Sequence, residues 1–405
     1  MAPASTYVPE TRSNAPQVIG DAGRSGSPRA YGLLSTYPPT LCGLATFTAS
    51  LAGSLTADQS GDRVGVVRMV DGPSVAGPPE VVHELNARPG AASAVAAAGW
   101  LNRFDVAVVQ HEYGIFGGRD GDQILDVLER VTVPVVAVLH TVLMAPTPHQ
   151  RHVLQKVIAA ADAVVTMTES ARSRLSAIYG VDPGTIDVIP HGAWPTEGPP
   201  SRPPSHGRPV ILTWGLLGPG KGLEWAVAAL PALRAMDPTP CYVVAGQTHP
   251  RVFAREGERY RHALQSQATS LGVADMVRFE PGYRNLDQLR RLVDGADVVL
   301  LPYDSVEQVT SGVLIEAVAS QTPVVATRFP HAVELLADGV GLLVPHRDPV
   351  AIADALRRVL TEPTLAAGMS ASAAPLAAVV TWPAVAERFR RVADAVVQRR
   401  AAVTR

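Results

Sequence analysis

Two segments of the chain combine glycine, hydroxyl and charged residues at spacings that suit a phosphorylated ligand. In the first, Thr-Ser-Gly at 310–312 leads to Glu316, and an apolar run at 297–302 before it predicts a buried parallel strand. Thr310 or Ser311 would cap a helix whose free N–H groups and positive dipole end attract an anion. Glu316 would lie about one and a half turns into this helix, within reach of ligand hydroxyls. The segment therefore predicts a site for a diphosphate and a ribose.

The second segment is a glycine-rich loop at 215–222, which contains Lys221 and follows an apolar run at 209–214. A lysine there suits a diphosphate, because a cation stabilises the negative charge that collects on a leaving group. A lysine that merely points into solvent from an ordinary loop is the alternative.

Histidines and a glutamate stand directly after predicted strands in the first half of the chain. His111-Glu112 follows the run at 104–110, and His140-Thr141 follows the run at 134–139. Ligands of open α/β sheets bind beyond the carboxyl ends of the strands, so these side chains are candidates for one cleft. Glu112 is suited to contact a second substrate or to act as a base, whereas His111 could simply pack.

Strands that alternate with helices must position these residues, and the alternation predicts an α/β fold with parallel, doubly wound sheets. The predicted strands are 31–35, 104–110, 134–139, 163–166, 186–190, 209–214, 242–246, 277–280, 297–302, 323–326 and 341–344. Gly43 begins a predicted helix at 44–55 in a further anion-site arrangement, for which an ordinary turn between strand and helix is the alternative.

The sequence also predicts where the domains end. Residues 195–208 contain five prolines and are interpreted as a linker. The expected division is a disordered tail at 1–28, a first domain at 29–194, a second domain at 209–380 and a final helix at 381–405.

Together these features resemble the nucleotide-sugar site of the retaining family-4 glycosyltransferases, most closely their bacterial mannosyltransferase-like branch. The resemblance is carried by 310–312 with Glu316-Ala317, by His140-Thr141 and by Lys221, and it covers residues 29–395. It implies the GT-B fold. In that fold two Rossmann-like, doubly wound parallel-sheet domains face each other across a cleft, and a C-terminal helix packs back on the first domain.

The chain departs from the family at one of two glutamates that usually stand eight residues apart. The second is Glu316, and the first falls on Gln308, with Glu307 one residue early. An amide cannot act as a carboxylate nucleophile, but it can hydrogen-bond sugar hydroxyls. The resemblance with this change implies retention without a covalent glycosyl-enzyme.

A second departure concerns the phosphate cations. The family has an arginine directly after the first glycine of the loop, where this chain has Leu216 after Gly215. The candidates to replace it, all just past predicted strands, are His249, Arg251 and Arg328. His331 and Glu334 follow a further strand. They could line the nucleotide pocket, or they could serve in capping and packing, and the sequence leaves both alternatives open.

The resemblance and the residues together predict the following site. The catalytic residues are His140, Lys221 and Gln308. The substrate-binding residues are Gly43, His111, Glu112, Gly215, Gly246, His249, Thr310, Ser311, Gly312, Val313 and Glu316. No metal site is predicted, because no paired carboxylates follow a strand in the motif region. No cofactor is predicted either.

Composition excludes several classes of protein. A net charge of −2 argues against a dedicated nucleic-acid binder. The cysteines, Cys42 and Cys241, fall in different predicted domains, which excludes a disulfide scaffold and indicates a reducing compartment. We find no signal peptide in 1–28 and no run of membrane-span length, so a cytoplasmic protein is expected. The arginine-rich final helix suits a solvated face or, alternatively, peripheral contact with a membrane.

The expected activity is transfer of a hexose from a nucleotide sugar to a hydroxyl acceptor with retention. The resemblance implies GDP-mannose as donor, although UDP-hexoses fit the same residues, and the acceptor is unknown, with glycans and lipid-linked molecules as candidates. Two alternatives stay open: a sugar-nucleotide epimerase of the same fold, and a catalytically impaired nucleotide-sugar-binding protein.

Overall fold

A computed structural model describes residues 27–57, 61–72, 76–87, 91–194 and 207–403. The predicted tail at 1–28 and the predicted linker at 195–208 lie almost wholly outside the described residues. Within the described chain, each half forms one parallel sheet, and hydrophobic clusters cover both faces of each sheet. The predicted pair of doubly wound sheets is confirmed.

The first sheet is built from seven strands. They are β1 (Ala30–Ser35), β2 (Arg63–Val70), β3 (Val81–Asn86), β4 (Val106–His111), β5 (Val135–Leu139), β6 (Ala163–Thr166) and β7 (Ile186–Val188). Their order is β3-β2-β1-β4-β5-β6-β7, and every pairing is parallel. The helices of this half are α1 (Gly43–Thr56), α2 (Ala91–Leu101), α3 (Gln123–Leu128), α4 (Pro148–Ala160) and α5 (Glu169–Tyr179), with 3₁₀ turns at Arg119–Gly121 and Pro183–Thr185.

The second sheet is built from six parallel strands. They are β8 (Val210–Trp214), β9 (Cys241–Ala245), β10 (Val277–Glu280), β11 (Val298–Leu301), β12 (Val324–Thr327) and β13 (Gly341–Val344), in the order β10-β9-β8-β11-β12-β13. The first helices of this half are α6 (Leu223–Ala229), α7 (Pro250–Glu256), α8 (Arg259–Ser270) and α9 (Leu286–Asp294). They are followed by α10 (Gly312–Ala319), α11 (Pro330–Leu335), α12 (Pro349–Thr361), α13 (Pro363–Val379) and α14 (Trp382–Val403), and 3₁₀ turns lie at Leu230–Leu233 and Ala274–Met276.

Both sheets reverse their strand order beside their first strand. In the first sheet β1 lies between β2 and β4, and in the second β8 lies between β9 and β11. Loops that leave the carboxyl ends of such strands diverge to opposite faces and open a crevice. The predicted site residues follow these strands, so the topology brings them toward two facing crevices.

The sequence analysis missed β2 and β3, at the edge of the first sheet. Polar residues interrupt the apolar pattern of these two strands. Arg68 in β2 is buried and pairs with Glu84 in β3, so both strands carry a charged residue inside the fold. The glycine at position 65 in β2 is explained by packing, since a Cβ there would lie 2.2 Å from the Phe104 ring. The eleven strands that were predicted all occur in the structure.

Helix α14 belongs to the core of the first half although it ends the chain. Val385 and Phe389 pack in the same cluster as Tyr31 and Leu51. Its arginines were expected to face solvent or a membrane. Arg391 and Arg399 are exposed, but several arginines also bind the first half. Arg390 Nε donates to Asp62 Oδ2 at 2.9 Å, Arg400 Nε donates to Asp162 Oδ1 at 2.9 Å, and Arg399 Nη2 donates to the Asp162 carbonyl at 3.1 Å. Among the described residues, no helix combines the length and the apolar character that crossing a membrane requires.

Candidate active site

A cavity of about 680 Å³ lies between the two halves. The first half lines it with the start of α1 and with residues that follow β4, β5 and β7. The second half lines it with the loops after β8, β9, β10 and β11 and with the first turns of α10. The cavity therefore lies where the two crevices face each other.

Thirteen of the fourteen predicted site residues line this cavity. They are Gly43, Glu112, His140, Gly215, Lys221, Gly246, His249, Gln308, Thr310, Ser311, Gly312, Val313 and Glu316. His111 is the exception. It ends β4 with its side chain fully buried, and its ring packs edge-on against Tyr113 at 5.0 Å, because successive strand residues point to opposite faces.

The N-terminus of α10 presents unused backbone donors to the cavity. Ser311 caps the helix, and its Oγ accepts from the Leu314 N–H at 3.2 Å. The Ser311 N–H donates to His331 Nδ1 at 2.8 Å. In the described chain, the N–H groups of Gly312 and Val313 have no hydrogen-bond partner. Two amides at the positive end of a helix are a suitable binding place for a phosphate.

Glu316 lies one turn deeper and faces the same cavity. Trp214, at the end of β8, donates from its indole nitrogen to Glu316 Oε2 at 3.3 Å. Burial raises the pKa of Glu316 to about 7, and the hydrogen bond from Trp214 opposes the rise. In the described residues no cation pairs with this carboxylate. Its free oxygen can accept hydrogen bonds from ligand hydroxyls.

Lys221 extends from the loop between β8 and α6. Its Nζ lies 4.4 Å from the centroid of the Tyr303 ring, and no carboxylate pairs with it in the described residues. A cation held over an aromatic face keeps its charge available to a ligand.

The candidates for the missing phosphate cation lie in different places. His249 lines the cavity, and burial together with Arg251 and Lys221 lowers its pKa. Arg251 reaches across to the first half and donates to the Gly114 carbonyl. Arg328 is exposed and does not line the cavity. Arg284, which the sequence analysis did not consider, does line it and pairs with Glu280.

His140 and Glu112 line the cavity from the first half. The His140 Nε2 lies 2.6 Å from Gln110 Oε1, and its ring packs edge-on against Phe47 at 5.0 Å. Burial lowers the pKa of His140 to about 3, with His191 and His111 adding to the effect, so the imidazole is neutral. Burial raises the pKa of Glu112, whose carboxylate accepts a hydrogen bond from the Thr141 hydroxyl.

Gln308 and Glu307 are neighbours with different surroundings. The Gln308 side-chain amide donates to the Thr310 carbonyl at 3.1 Å. Glu307 Oε2 instead lies 3.1 Å from Arg174 Nη1 of the first half. The two side chains are therefore not interchangeable in this structure.

Several aromatic residues of the cavity were not predicted. Trp214 and Tyr303 end or follow central strands, and Trp194, Tyr283 and Trp382 also line the wall. The position of Trp214 directly before Gly215 was a usable signal, whereas Trp382 is brought in by a helix from the end of the chain. His331 and Glu334 lie outside the lining and make capping and packing contacts.

The described residues contain no group of three or more His, Cys, Asp or Glu side chains placed to hold a metal ion.

Two family models match the chain, one in each half. The model described as Glycosyltransferase Family 4 matches residues 42–195, and the model described as Glycosyl transferases group 1 matches residues 208–362.

Two relatives carry the same name. A D-inositol 3-phosphate glycosyltransferase from Frankia alni is 30% identical over 327 residues, which is 72% of this chain and 78% of that protein. One from Acidothermus cellulolyticus is 31% identical over 344 residues, 77% of this chain and 71% of that protein.

Solved structures share the fold at low sequence identity. Anabaena Alr3699/HepE in complex with UDP and glucose matches with a TM-score of 0.71 at 16% identity, over 90% of this chain and 99% of that chain. Sucrose-phosphate synthase from Thermosynechococcus elongatus matches with a TM-score of 0.72 at 18% identity, over 92% of this chain and 100% of that chain.

Proposed function

This chain belongs to glycosyltransferase family 4, and we propose that it transfers a hexose from a nucleotide sugar to a hydroxyl acceptor with retention of configuration. One observation carries the proposal. A single cavity holds the free N–H groups of α10, Glu316 and Lys221 on one side and His140 and Glu112 on the other. The first set suits a nucleoside diphosphate, and the second suits a sugar and its acceptor.

The donor would bind to the second half. The diphosphate would rest on the N–H groups of Gly312 and Val313, with Lys221 beside it, and the ribose hydroxyls would donate to Glu316. Lys221 would stabilise the charge that grows on the diphosphate as the glycosidic bond breaks. His140 is neutral, so it would act on the sugar through hydrogen bonding rather than through charge.

Retention would follow from attack on the face that the diphosphate leaves. The bond from the sugar carbon to the phosphate oxygen breaks, the bond to the acceptor oxygen forms, and the acceptor proton passes to a phosphate oxygen. Gln308 is an amide and cannot form a covalent glycosyl-enzyme. Glu307, the nearest carboxylate in sequence, is paired with Arg174. These surroundings favour a route without a nucleophilic side chain.

For the donor we propose GDP-mannose, from the resemblance to mannosyltransferases. UDP-glucose is the second donor to test, since a structure of similar fold contains UDP-glucose. For the acceptor, the name of the relatives makes D-inositol 3-phosphate the first molecule to test, followed by glycans and lipid-linked hydroxyls. The resemblance further implies that no bound metal is needed.

The test incubates the purified protein with each donor and acceptor, with and without EDTA, and measures nucleoside diphosphate release. NMR of the product then gives its anomeric configuration. We expect a product with the donor's configuration and equal rates in EDTA. An inverted product would refute retention, and a free sugar with a changed configuration and no acceptor adduct would identify an epimerase.

A further inference from the structure

Arg174, on α5 of the first half, binds the loop of the second half that carries Gln308. This loop, residues 302–311, joins β11 to α10, and we refer to it as the Gln308 loop. Arg174 Nη1 donates to the Glu307 carbonyl at 2.8 Å and to Glu307 Oε2 at 3.1 Å, and Nη2 donates to the Val306 carbonyl at 3.2 Å. The guanidinium is also tied to its own half, since Nη1 donates to the Val142 carbonyl at 3.0 Å.

Other groups of the first half bind the same loop on either side of Arg174. The Met144 N–H donates to Glu307 Oε2 at 2.9 Å. The Thr168 hydroxyl, which is buried just before α5, donates to the Val309 carbonyl at 3.0 Å. The backbone of the loop is thus held at 306, 307 and 309, immediately around Gln308.

A second connection joins α5 to the second half from its N-terminal end. Glu334 of α11 accepts from the N–H groups of Glu169 and Ser170 at 2.8 and 2.9 Å, and from the Ser170 hydroxyl at 2.7 Å. A carboxylate at a helix N-terminus is favourable, because it meets the positive end of the dipole. His331, also on α11, accepts from the Ser311 N–H at the end of the Gln308 loop.

These contacts form an interdomain latch that is separate from the proposed donor contacts. The groups assigned to the diphosphate and ribose, namely the α10 amides, Lys221 and Glu316, all lie on the second half. The latch instead sets the position of that half, and of Gln308, relative to His140 on the first half. The Arg174 side chain is only 10% exposed. Its guanidinium is charged and holds its N–H donors in a fixed planar geometry, so the hydrogen bonds to the loop have a defined direction.

We infer that Arg174 is a positioning residue that holds the Gln308 loop against the first half in the geometry of transfer, and that Glu334 supports it by fixing the start of α5 to the second half. The inference rests on the proposed function. It also assigns a role to Glu307, the carboxylate one residue early: its side chain serves the latch rather than the sugar. With a glutamine at 308, the carboxylates of the loop are Asp304 and Glu307, and both are already paired, Asp304 with Arg347 of its own half and Glu307 with Arg174 across the cleft.

Arg172 provides a matched control on the same helix. Its Nη2 lies 2.6 Å from Glu169 Oε2, so it pairs within α5, and in the described residues its side chain has no hydrogen bond or ion pair to the second half. We therefore compare Arg174→Ala, Arg174→Lys and Arg172→Ala. Arg174→Ala should lower kcat by about 10²-fold, because a small displacement of reacting groups is costly, while Kd for the nucleoside diphosphate stays within about twofold. Arg174→Lys should recover part of the rate, since a lysine keeps the charge but not the fork of donors.

Hydrogen–deuterium exchange of residues 304–311 supplies a readout that does not depend on turnover. Exchange should be faster in Arg174→Ala than in Arg172→Ala, and Glu334→Gln should show the same change if Arg174→Ala fails to fold. Equal exchange in the two arginine variants, or kcat and Kd impaired in proportion, would overturn the latch. A wild-type protein with no transfer from any nucleotide sugar would instead refute the proposed function, and the exchange data would still decide on the latch.

Discussion

The indole nitrogen of Trp214 lies 3.3 Å from a carboxylate oxygen of Glu316, and this is the sole side-chain hydrogen bond to Glu316 in the described residues. One donor does not compensate for burial, which raises the pKa of the carboxyl to about 7. Glu316 is therefore poised to change its charge when a ligand supplies further donors.

Glu316→Gln should change how stability depends on pH. The folded state holds a proton that the unfolded state releases above about pH 4.5, so the unfolding free energy of the unliganded wild type falls between about pH 4.5 and 7. The loss is complete above the folded pKa and amounts to about 3 kcal/mol, because each pKa unit corresponds to about 1.4 kcal/mol. The glutamine variant should lack this decline, as urea titrations at several pH values will show. Parallel curves for the two proteins would contradict the raised pKa.

The raised pKa of Glu316 also predicts that nucleotide binding is coupled to loss of the proton from this carboxyl. Ribose hydroxyls donate to the ionised carboxylate, so affinity should rise as pH passes from about 6 to 8, and binding near pH 7 should release protons. Calorimetry in buffers of different ionisation enthalpy measures the release. Glu316→Gln should weaken binding by about 1.5–3 kcal/mol and abolish the proton release. Buffer-independent heats in the wild type would remove Glu316 from the ribose site.

Lys221→Ala should depress kcat more than it raises KM. With Leu216 where the family has arginine, Lys221 carries much of the charge stabilisation on the departing diphosphate, and its loss should cost about 10²–10³ in rate. Lys156, exposed on α4, is a matched control, and Lys156→Ala should be unaffected. A near-normal kcat in Lys221→Ala would transfer the role to another cation, with His249 and Arg284 next to be tested. Leu216→Arg should preserve or raise nucleotide affinity if the cavity has room.

Gly246→Ala should destabilise the second half. Gly246 has a φ of +139°, and a Cβ there would lie 1.9 Å from the Gly215 carbonyl oxygen, so two backbone segments approach too closely for a side chain. Strain of this kind costs about 1–3 kcal/mol before any clash is added. Gly43→Ala is the comparison, because a Cβ at Gly43 meets no atom within 4 Å. Thermal unfolding should separate the two, and equal melting temperatures would be inconsistent with the close approach.

Arg390→Ala should loosen α14 from the first half. Its guanidinium binds Asp62, whose side chain is fully buried, and it also donates to the Leu55 carbonyl at 2.8 Å. Removing one member of a buried ion pair costs about 3–5 kcal/mol. Arg391→Ala, at the exposed neighbouring position, should change stability little. Urea denaturation of the two variants gives the comparison, and a small effect in both would mean that α14 is held by its apolar face alone.

The sequence was sufficient for features that depend on local pattern. Apolar runs followed by glycine-rich turns identified eleven strands, since such runs have few other uses in an α/β protein. Lys221, Glu316 and His140 could be assigned to one cavity because parallel strands present their carboxyl ends at the same edge of a sheet. The edge strand β3 and its neighbour β2 were missed, because the Arg68–Glu84 pair places charge where a run of apolar residues was sought.

Only the tertiary structure decided which way individual side chains point and which distant residues meet. His111 and Glu112 are adjacent, yet the first packs into the core and the second faces the cavity, because strand residues alternate. Glu307 meets Arg174 from 133 residues away, and Trp214 meets Glu316 from 102. Such pairs depend on how two sheets and two halves pack together, and spacing along one chain does not contain that geometry.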